Sequence, residues 1–462
     1  MGIAAAEFYS ANDGAKQTLS RRITPSDKQM DQQRERWDLL AQHLLSDLAS
    51  RSGLTMRHWL QGSYKFGTQV RPMRMAEEFD IDLGIYFEWP GSVEQGRNSP
   101  LQLKASVQDS LNQYRKAHSQ KVLEVTPPKG RCCRIRFAGN FHIDVPAYHL
   151  DAKRDARSLA TQENKWEKSD PKAFYKWFVT QFDDATRAKA RRHIRYLKAW
   201  AGLKFAIEER PSSVLLTVLA ADAVNSLSGD VLASDDEAFY SVVSAILTRL
   251  EKSSAVANPA DRSEDLAARL SASQFKSFLS LLRLLKDIST RAVACIDLLN
   301  ASEIWAEAFE HFFPATEPDQ VAKTAVKSGA LATIPFEPNI EVVAQSSKNT
   351  NFSQRGINKI GPLPKGCDIV FTLKNASQLP VGAVVNWTVR NEGEEAEDMN
   401  DLGHKGGNGV SRKEKSAYVG RHFMDCVVKL RGQVIAIRRV PVIVQGVPVA
   451  PRNLPRRTTR WV

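Results

Sequence analysis

The sequence predicts an α+β protein: a mixed sheet core with a helical lobe, followed by an all-β sandwich domain. Three observations predict it. Residues 54–150 combine short alternating apolar runs with one helical run. Residues 170–313 have mostly helical spacing, and beyond residue 335 β-branched residues alternate with polar ones between turn signals. A chain of 462 residues is long enough for these separate domains.

The N-terminal segment, residues 1–24, has little periodicity, and we expect it to be a flexible arm. Pro25–Ser26 then has the residue types of a helix start, and Gly53 those of a helix end. Between them, apolar residues recur on one helical face. That face is Met30, Trp37, Ala41, Leu44 and Leu48. We therefore expect an N-terminal spine helix as part of a core spanning residues 25–205.

Three short runs in this core alternate in the way β-strands do. Asp80–Phe87 places apolar residues on one face and two carboxylates on the other. Arg134–Phe137 and Phe141–Val145 flank Gly139–Asn140, a pair typical of a hairpin turn. The core should therefore contain a sheet that includes these three strands.

The rest of the chain divides into three expected regions. Residues 206–330 should form the helical lobe, and its segment Val214–Asn225 is apolar on nearly every side and should be buried. Residues 331–446 should form the C-terminal β-sandwich. Residues 447–462 are rich in proline and arginine and should be a flexible basic tail.

Composition limits the functional classes. No stretch approaches eighteen uninterrupted apolar residues, so no membrane span is expected, and the N-terminus lacks the pattern of a secretory signal. Five cysteines without a CxxC pair do not indicate zinc, and we expect reduced thiols in a cytoplasmic protein. The net charge of +12 suits an anionic ligand such as a nucleotide or nucleic acid, although solvated lysines would give the same balance.

The residues that carry chemistry are Gly62, Ser63, Asp80, Asp82 and Asp144. Residues two apart on a strand share a face, so Asp80 and Asp82 should lie side by side and repel unless a cation lies between them. If Asp144 lies on an adjacent strand, three carboxylates can hold two Mg²⁺ ions for in-line phosphoryl transfer. The Gly62–Ser63 turn can hold a triphosphate. Singly, these residues could also be solvated strand positions and an ordinary turn.

Taken in order, several stretches resemble a known family, the nucleotidyltransferase core of the bacterial cyclic-oligonucleotide synthases. These are relatives of cyclic GMP–AMP synthase and of oligoadenylate synthase. The stretches are Gln61–Thr68, Glu78–Gly84, His142–Tyr148, Trp166–Pro171, Arg192–Trp200 and Pro211–Ser213. The resemblance covers residues 25–315. It implies a polymerase-β-like fold and template-independent condensation of ATP, GTP or other NTPs into a cyclic di- or trinucleotide. It also implies two Mg²⁺ ions as cofactors, with Mn²⁺ as the alternative.

The resemblance further implies roles for single residues. Gly62 and Ser63 would hold the donor triphosphate. Asp80 and Asp82 would bind both metals, while Asp144 would bind one and help to deprotonate the attacking ribose hydroxyl. His142 shares the strand face of Asp144, but we expect it to be structural rather than a catalytic base, because a metal-activated hydroxyl needs no imidazole.

Other implied roles each have an ordinary structural alternative. Phe66 would stack on a base, or be a buried turn residue. Arg134 would contact a nucleotide, or face solvent; Lys198 would reach the triphosphate, or be a solvated helix lysine. The remaining implied contacts could instead be helix caps. They are Ser212 or Ser213 on phosphate or sugar, and Ser169 with Asp170 on a base edge.

A second resemblance lies in residues 335–446. Asn386–Ala396 and Tyr418–Cys426 are similar to the AGS-C-type sensor domain fused to such synthases. The resemblance implies a β-sandwich that binds a small ligand or a regulatory partner protein, in an anti-phage operon of the CBASS type; a nucleic-acid activator is not indicated. Trp387 and Phe423 could instead simply fill a sandwich core.

Three functional hypotheses follow from the sequence. The first is a cyclic-oligonucleotide synthase. The second is another nucleotidyltransferase with the same core, which makes linear oligonucleotides or modifies a protein or RNA. The third is a non-catalytic nucleotide-sensing module, against which the presence of all three acids argues.

Overall fold

The computed structural model of this chain describes residues 2–11, 18–75, 77–96, 98–227, 234–315, 336–346 and 352–446. The chain divides into two compact units, residues 1–293 and 294–462. The predicted basic tail, residues 447–462, lies outside the described residues. No helix in the described ranges has both the length and the apolar character that crossing a bilayer requires.

The first unit contains helices and one large sheet. Its helices are α1 (Ala5–Phe8), α2 (Leu19–Ile23), α3 (Asp27–Ser52), α4 (Gly62–Phe66), α5 (Pro100–Ala117), α6 (Pro171–Thr180), α7 (Asp184–Lys204), α8 (Ser213–Ser226), α9 (Asp235–Lys252) and α10 (Ala272–Val293). Its strands are β1 (Thr55–Gln61), β2 (Phe79–Glu88), β3 (Val122–Val125), β4 (Cys133–Phe137), β5 (Phe141–Val145), β6 (Ala147–Asp151), β7 (Ala156–Ala160), β8 (Trp166–Lys168), β9 (Ala257–Asn258) and β10 (Asp261–Asp265).

The large sheet has the order β3-β4-β5-β2-β6-β7-β8, and β1 pairs with the other edge of β2. β5 and β6 act as one long strand parallel to β2, because the register runs unbroken from Phe79 opposite Phe141 to Glu88 opposite Leu150. Pro146 joins the two halves, and its carbonyl accepts a hydrogen bond from the Ile85 amide at 2.9 Å. The three strands predicted from alternation therefore share one sheet, and the predicted α+β class is confirmed.

Helix α3 is the predicted spine helix. Ser26 and Gln29 form a reciprocal capping box at its start, and Gly53 ends it in the left-handed conformation. Its buried residues Leu40 and Leu44 share one apolar core with strand residues of β2. Burial of this face ties the helix to the sheet that carries the acidic residues.

Residues 1–24 were predicted to form a flexible arm, and for the described residues of that segment this prediction is wrong. Phe8 is fully buried, with its ring 5.2 Å from that of Tyr196 and 6.2 Å from that of Phe239. The backbone amide of Ala4 donates a hydrogen bond to the Asp236 carboxylate at 3.0 Å. Helices α1 and α2 are only four and five residues long, which is too short for periodicity to reveal them.

The second unit is a β-sandwich with one longer helix. Its elements are α11 (Leu298–Phe309), β11 (Ile340–Ser346), β12 (Ser353–Ile357), β13 (Ile360–Leu363), β14 (Cys367–Leu373), β15 (Ala383–Arg390), α12 (Glu394–Asp398), β16 (Gly403–Asn408), β17 (Ser411–Lys415), β18 (Gly420–Leu430) and β19 (Gln433–Val444). The two sheets have the orders β12-β11-β14-β17 and β13-β19-β18-β15-β16, and their inner faces share one core. Trp387 fills that core at 1% exposure, whereas Phe423 lies under the guanidinium groups of Arg421 and Arg439.

The boundary between the units differs from the predicted end of the helical lobe at residue 330. Helix α11 belongs to the second unit, where Leu299 packs on Val427 and Val434. The Asn300 side-chain oxygen also accepts a hydrogen bond from the Val434 amide at 2.9 Å. Helical spacing alone cannot tell which domain a helix packs against, because the partner surface lies far away in the sequence.

Candidate active site

Three carboxylates meet on one face of the large sheet, and we call Asp80, Asp82 and Asp144 the acidic cluster. Asp80 and Asp82 project from β2 on the face opposite buried Ile81 and Leu83. Asp144 of β5 lies directly across from Asp82, because these parallel strands pair in register. One ligating atom from each of Asp80, Asp144 and the neighbouring His142 lies within 4.8 Å of the other two.

Asp82 contacts the backbone of helix α4, which begins directly after β1. Gly62 has φ +58°, and a Cβ placed on it would lie 1.9 Å from Oδ2 of Asp82. Only glycine lets the main chain approach the carboxylate this closely while it adopts this conformation. The first turn of α4 is therefore held against the acidic cluster.

Gly62→Ala should abolish activity, because the methyl group displaces the Asp82 carboxylate. Gly53→Ala is the matched control: Gly53 also has positive φ, at +67°, but an added Cβ meets nothing within 4 Å. Each substitution places an alanine in the left-handed conformation, which should lower the free energy of unfolding by about 1–2 kcal/mol. Product formation should be lost only in Gly62→Ala, as measured by incorporation of labelled NTP. Equal activity in the two variants would contradict this assignment.

The electrostatics of the acidic cluster fit a bound divalent cation. Burial, and after it the charges of Asp80 and Asp144, raises the pKa of Asp82 well above the ordinary range. A cation among the three carboxylates would remove this repulsion, and carboxylate oxygens are the ligands that Mg²⁺ prefers. These residues therefore fit a divalent-cation site.

Asp144 is held by Arg134, which is its neighbour in register on β4. The guanidinium donates two hydrogen bonds, from Nε to Oδ1 at 2.5 Å and from Nη2 to Oδ2 at 2.8 Å. Burial acts to raise the pKa of Asp144, but these bonds and the charge of Arg134 outweigh it and lower the pKa. The pairing with Asp144 engages the guanidinium of Arg134, so the interpretation as a solvent-facing residue is wrong, while the nucleotide contact stays a prediction.

Lys198 of α7 reaches the loop that follows α4. Its ammonium group donates to the Thr68 carbonyl at 3.3 Å and to Thr68 Oγ1 at 3.1 Å, while the Thr68 amide bonds the Ser63 carbonyl at 2.9 Å. Lys198 is 7% exposed, so the interpretation as a solvated helix lysine is wrong. Burial, reinforced by the charge of Arg195, lowers the pKa of Lys198 to about 7.

A cavity of about 710 Å³ contains the acidic cluster, Lys198 and the first turn of α4. This volume and its mixed lining are typical of a small-molecule site. All of the predicted site residues line it except Arg134 and Ser212. The structure thus brings most of the predicted residues into one cavity.

Two of the predicted site residues, Ser212 and Asp170, cap helices, as the structural alternative expected. Ser212 Oγ accepts a hydrogen bond from the Leu215 amide at 3.2 Å and caps α8, while its neighbour Ser213 lines the cavity. Asp170 caps α6 through the Ala173 amide at 2.9 Å. Asp170 and Ser169 also line the cavity.

Phe66 lines the cavity as part of an aromatic cluster. It is 4% exposed, and its ring centroid lies 5.3–5.4 Å from those of Phe174, Tyr175 and Phe178. Arg191 fixes its backbone carbonyl through a 2.8 Å hydrogen bond. The contacts fit the buried-turn alternative better than base stacking.

Sequence reasoning missed several residues that line the cavity. Thr68 lies inside the stretch already noted, but nothing marked it as the partner of Lys198. The hairpin β9–β10 lies within residues 206–330, which were expected to form a helical lobe, and its Asp261 and Glu264 line the cavity. Asp261 also forms a 3.2 Å ion pair with Lys168. The turn pair Asn258–Pro259 is the signal that could have indicated this hairpin.

Comparison with known proteins is consistent with this geometry. Residues 56–148 match the model of the cyclic GMP-AMP synthase DncV-like nucleotidyltransferase domain. Residues 318–445 match that of the adenylyl/guanylyl and SMODS C-terminal sensor domain. A cyclic GMP-AMP synthase of Escherichia albertii is 27% identical over 462 residues, 98% of each chain. A c-di-GMP synthase of Roseivirga ehrenbergii is 24% identical over 261 residues, 50% of this chain and 65% of that protein.

A solved structure shares the fold. The crystal structure of the Vibrio cholerae DncV cyclic AMP-GMP synthase superposes with a TM-score of 0.58 at 20% identity, covering 69% of this chain and 99% of that one. The fold, the matched residues and the acidic cluster in its cavity agree with one another. Residues 56–148 therefore form a DncV-like nucleotidyltransferase domain, residues 318–445 correspond to the C-terminal sensor domain, and the chain is a nucleotidyltransferase.

Proposed function

We propose that this enzyme condenses NTPs, with ATP and GTP as the first candidates, into a cyclic di- or trinucleotide without a template. The observation that carries the proposal is the acidic cluster in one cavity with Lys198 and the first turn of α4. Carboxylates and phosphate-binding groups that share one cavity are what phosphoryl transfer between nucleotides requires. The names of the relatives given above support the cyclic product.

The roles of the residues follow from their positions. Two Mg²⁺ ions, when bound, would neutralise the charge of the phosphoryl oxygens and lower the pKa of the attacking hydroxyl. Asp80 and Asp82 would hold both ions, and Asp144 would hold one of them. Asp144 would also orient the acceptor hydroxyl for in-line attack, because Arg134 keeps its carboxylate ionised and fixed.

The donor nucleotide would lie across α4. The amides at the start of α4 and the Ser63 hydroxyl would bind the triphosphate at the end nearest Asp82. Lys198, which also lines the cavity, would add a positive charge near Thr68. Pyrophosphate would leave at each step, and the last transfer, within the bound linear intermediate, would close the ring.

The product identifies the function. Purified full-length chain is incubated with Mg²⁺ and mixed NTPs labelled at the α-phosphate, and products are separated by thin-layer chromatography before and after phosphatase treatment. We expect a phosphatase-resistant product whose mass equals that of a cyclic di- or trinucleotide. Products that lose part of their label to phosphatase would indicate linear oligonucleotides, and label on protein or RNA would indicate modification of a macromolecule. Either outcome would favour the second hypothesis. No incorporation at all would favour the sensing module.

We further infer regulation through the second unit by a small ligand. It holds a cavity of about 740 Å³ with an apolar floor that includes Ile369, Phe371 and Met424. Glu414 and His404, 3.3 Å apart, line the same cavity. A mainly apolar cavity with a few polar groups is typical of small-molecule sites. Together with the synthase proposed for the first unit of the same chain, this supports a role in cytoplasmic anti-phage signalling of the CBASS type.

A further inference from the structure

A row of charged residues crosses four neighbouring strands and ends at Asp80. Glu124 of β3 pairs in register with Arg136 of β4, Arg136 with His142 of β5, and His142 with Asp80 of β2. Residues directly opposite one another on adjacent strands point to the same face of the sheet and lie within contact distance. The row therefore connects the acidic cluster to the edge of the sheet.

His142 lies between two carboxylates. Its Nδ1 is 3.0 Å from Oε2 of Glu78, and its Nε2 is 3.0 Å from Oδ1 of Asp80. The ring is only 7% exposed. The Asp80 contact is close but lacks the alignment of a hydrogen bond, as is common in active sites before the ligand binds.

Glu78 is itself held firmly. Arg136 donates to Oε1 of Glu78 from Nε at 2.9 Å and from Nη2 at 2.5 Å, and its Nη1 bonds Glu124 at 2.7 Å. Glu78 is thus a carboxylate anchored behind the imidazole.

Asp80 is the member of the acidic cluster that most needs such support. Its side chain is 51% exposed, whereas that of Asp144 is 14% exposed and held by Arg134. A metal-ligating carboxylate binds well only when its rotamer is held in place, and groups behind the ligands commonly do this. Both nitrogens of His142 face carboxylates, so the ring is placed to orient Asp80 rather than to bind an ion directly.

We propose that Glu78 and His142 are positioning residues that hold Asp80 in the orientation that binds the divalent ion. The proposal rests on the metal-dependent function proposed above. It assigns to His142 a role beyond the structural one expected from the sequence.

The test measures Mn²⁺ binding to the full-length chain by electron paramagnetic resonance of free Mn²⁺, with no nucleotide and no turnover. His142→Asn should weaken binding about 10- to 100-fold, because asparagine is too short to reach Asp80. His142→Gln, whose amide nitrogen lies near the position of Nε2, should recover part of the loss. The matched control is His149→Asn, on the same long strand, where Nε2 bonds the Trp89 carbonyl at 3.0 Å; it should bind Mn²⁺ as wild type does.

Glu78→Gln separates positioning from direct ligation. If the pair acts as proposed, Glu78→Gln alone weakens Mn²⁺ binding. The double variant of Glu78→Gln with His142→Asn then binds Mn²⁺ no more weakly than the weaker-binding single variant. Weak binding in His142→Asn with wild-type binding in Glu78→Gln would show that His142 is itself a ligand and would overturn the proposal. Wild-type affinity in both single variants would overturn it too. If His142→Asn does not fold, Glu78→Gln still decides between these outcomes.

Failure of this inference can be distinguished from failure of the proposed function. Wild-type chain that forms a cyclic product while both variants bind Mn²⁺ normally refutes only the positioning pair. Wild-type chain that forms no product refutes the synthase, whatever the variants bind.

Discussion

Asp82→Asn is expected to abolish product formation while raising the thermal stability of the metal-free chain. Metal ligation supplies several kcal/mol to phosphoryl transfer, so the rate should fall at least about a thousandfold. The stability should rise because asparagine removes a buried charge that Asp80 and Asp144 repel. The combination is informative, since a merely structural residue would lose both activity and stability.

The dependence on pH and Mg²⁺ checks the cause of this gain. The folded-state pKa of Asp82 is raised, so its charge destabilises the fold above that pKa and the penalty disappears as the pH falls through it. The stability difference between variant and wild type should therefore shrink in acid. Added Mg²⁺ should stabilise wild type and leave the variant unchanged in differential scanning calorimetry. Retained synthesis by Asp82→Asn would reject the metal-site assignment.

Lys198→Met is expected to weaken NTP binding about ten- to hundredfold, because a charged hydrogen bond contributes about 1.5–3 kcal/mol. Lys198 titrates near pH 7 in the free enzyme, so triphosphate binding should take up a proton at and above that pH. Isothermal titration calorimetry in buffers of different ionisation enthalpy would measure this uptake. It should vanish in Lys198→Met and persist in Lys189→Met, a variant on the same helix.

The stability of the nucleotide-free enzyme gives an independent check on Lys198. Its folded-state pKa lies below its ordinary value of 10.5, so the unfolded chain binds more protons between about pH 7 and that value. The free energy of unfolding of the wild type should therefore rise with pH across this window, and that of Lys198→Met should lack this rise. The same dependence of stability on pH in both proteins would place Lys198 in contact with solvent.

Patterns of neighbouring residues were enough to predict the spine helix and three strands of the core sheet. The alternation around Asp80 and Asp82 placed both carboxylates on one strand face, and the cap at Ser26 with the glycine at 53 bounded the spine helix. These features depend on contacts two to four positions apart, which a single sequence displays. The N-terminal helices were missed because each offers only one turn of such contacts.

The sequence by itself determined which residue types carry the chemistry and which strand faces they occupy. Only the tertiary structure decided that Asp144 lies opposite Asp82, that Arg134 binds Asp144, and that Lys198 is buried against Thr68. Those pairings join residues between 10 and 130 positions apart. They depend on the register between strands and on how helices pack over the sheet, and both are set by burial of the whole core rather than by local spacing.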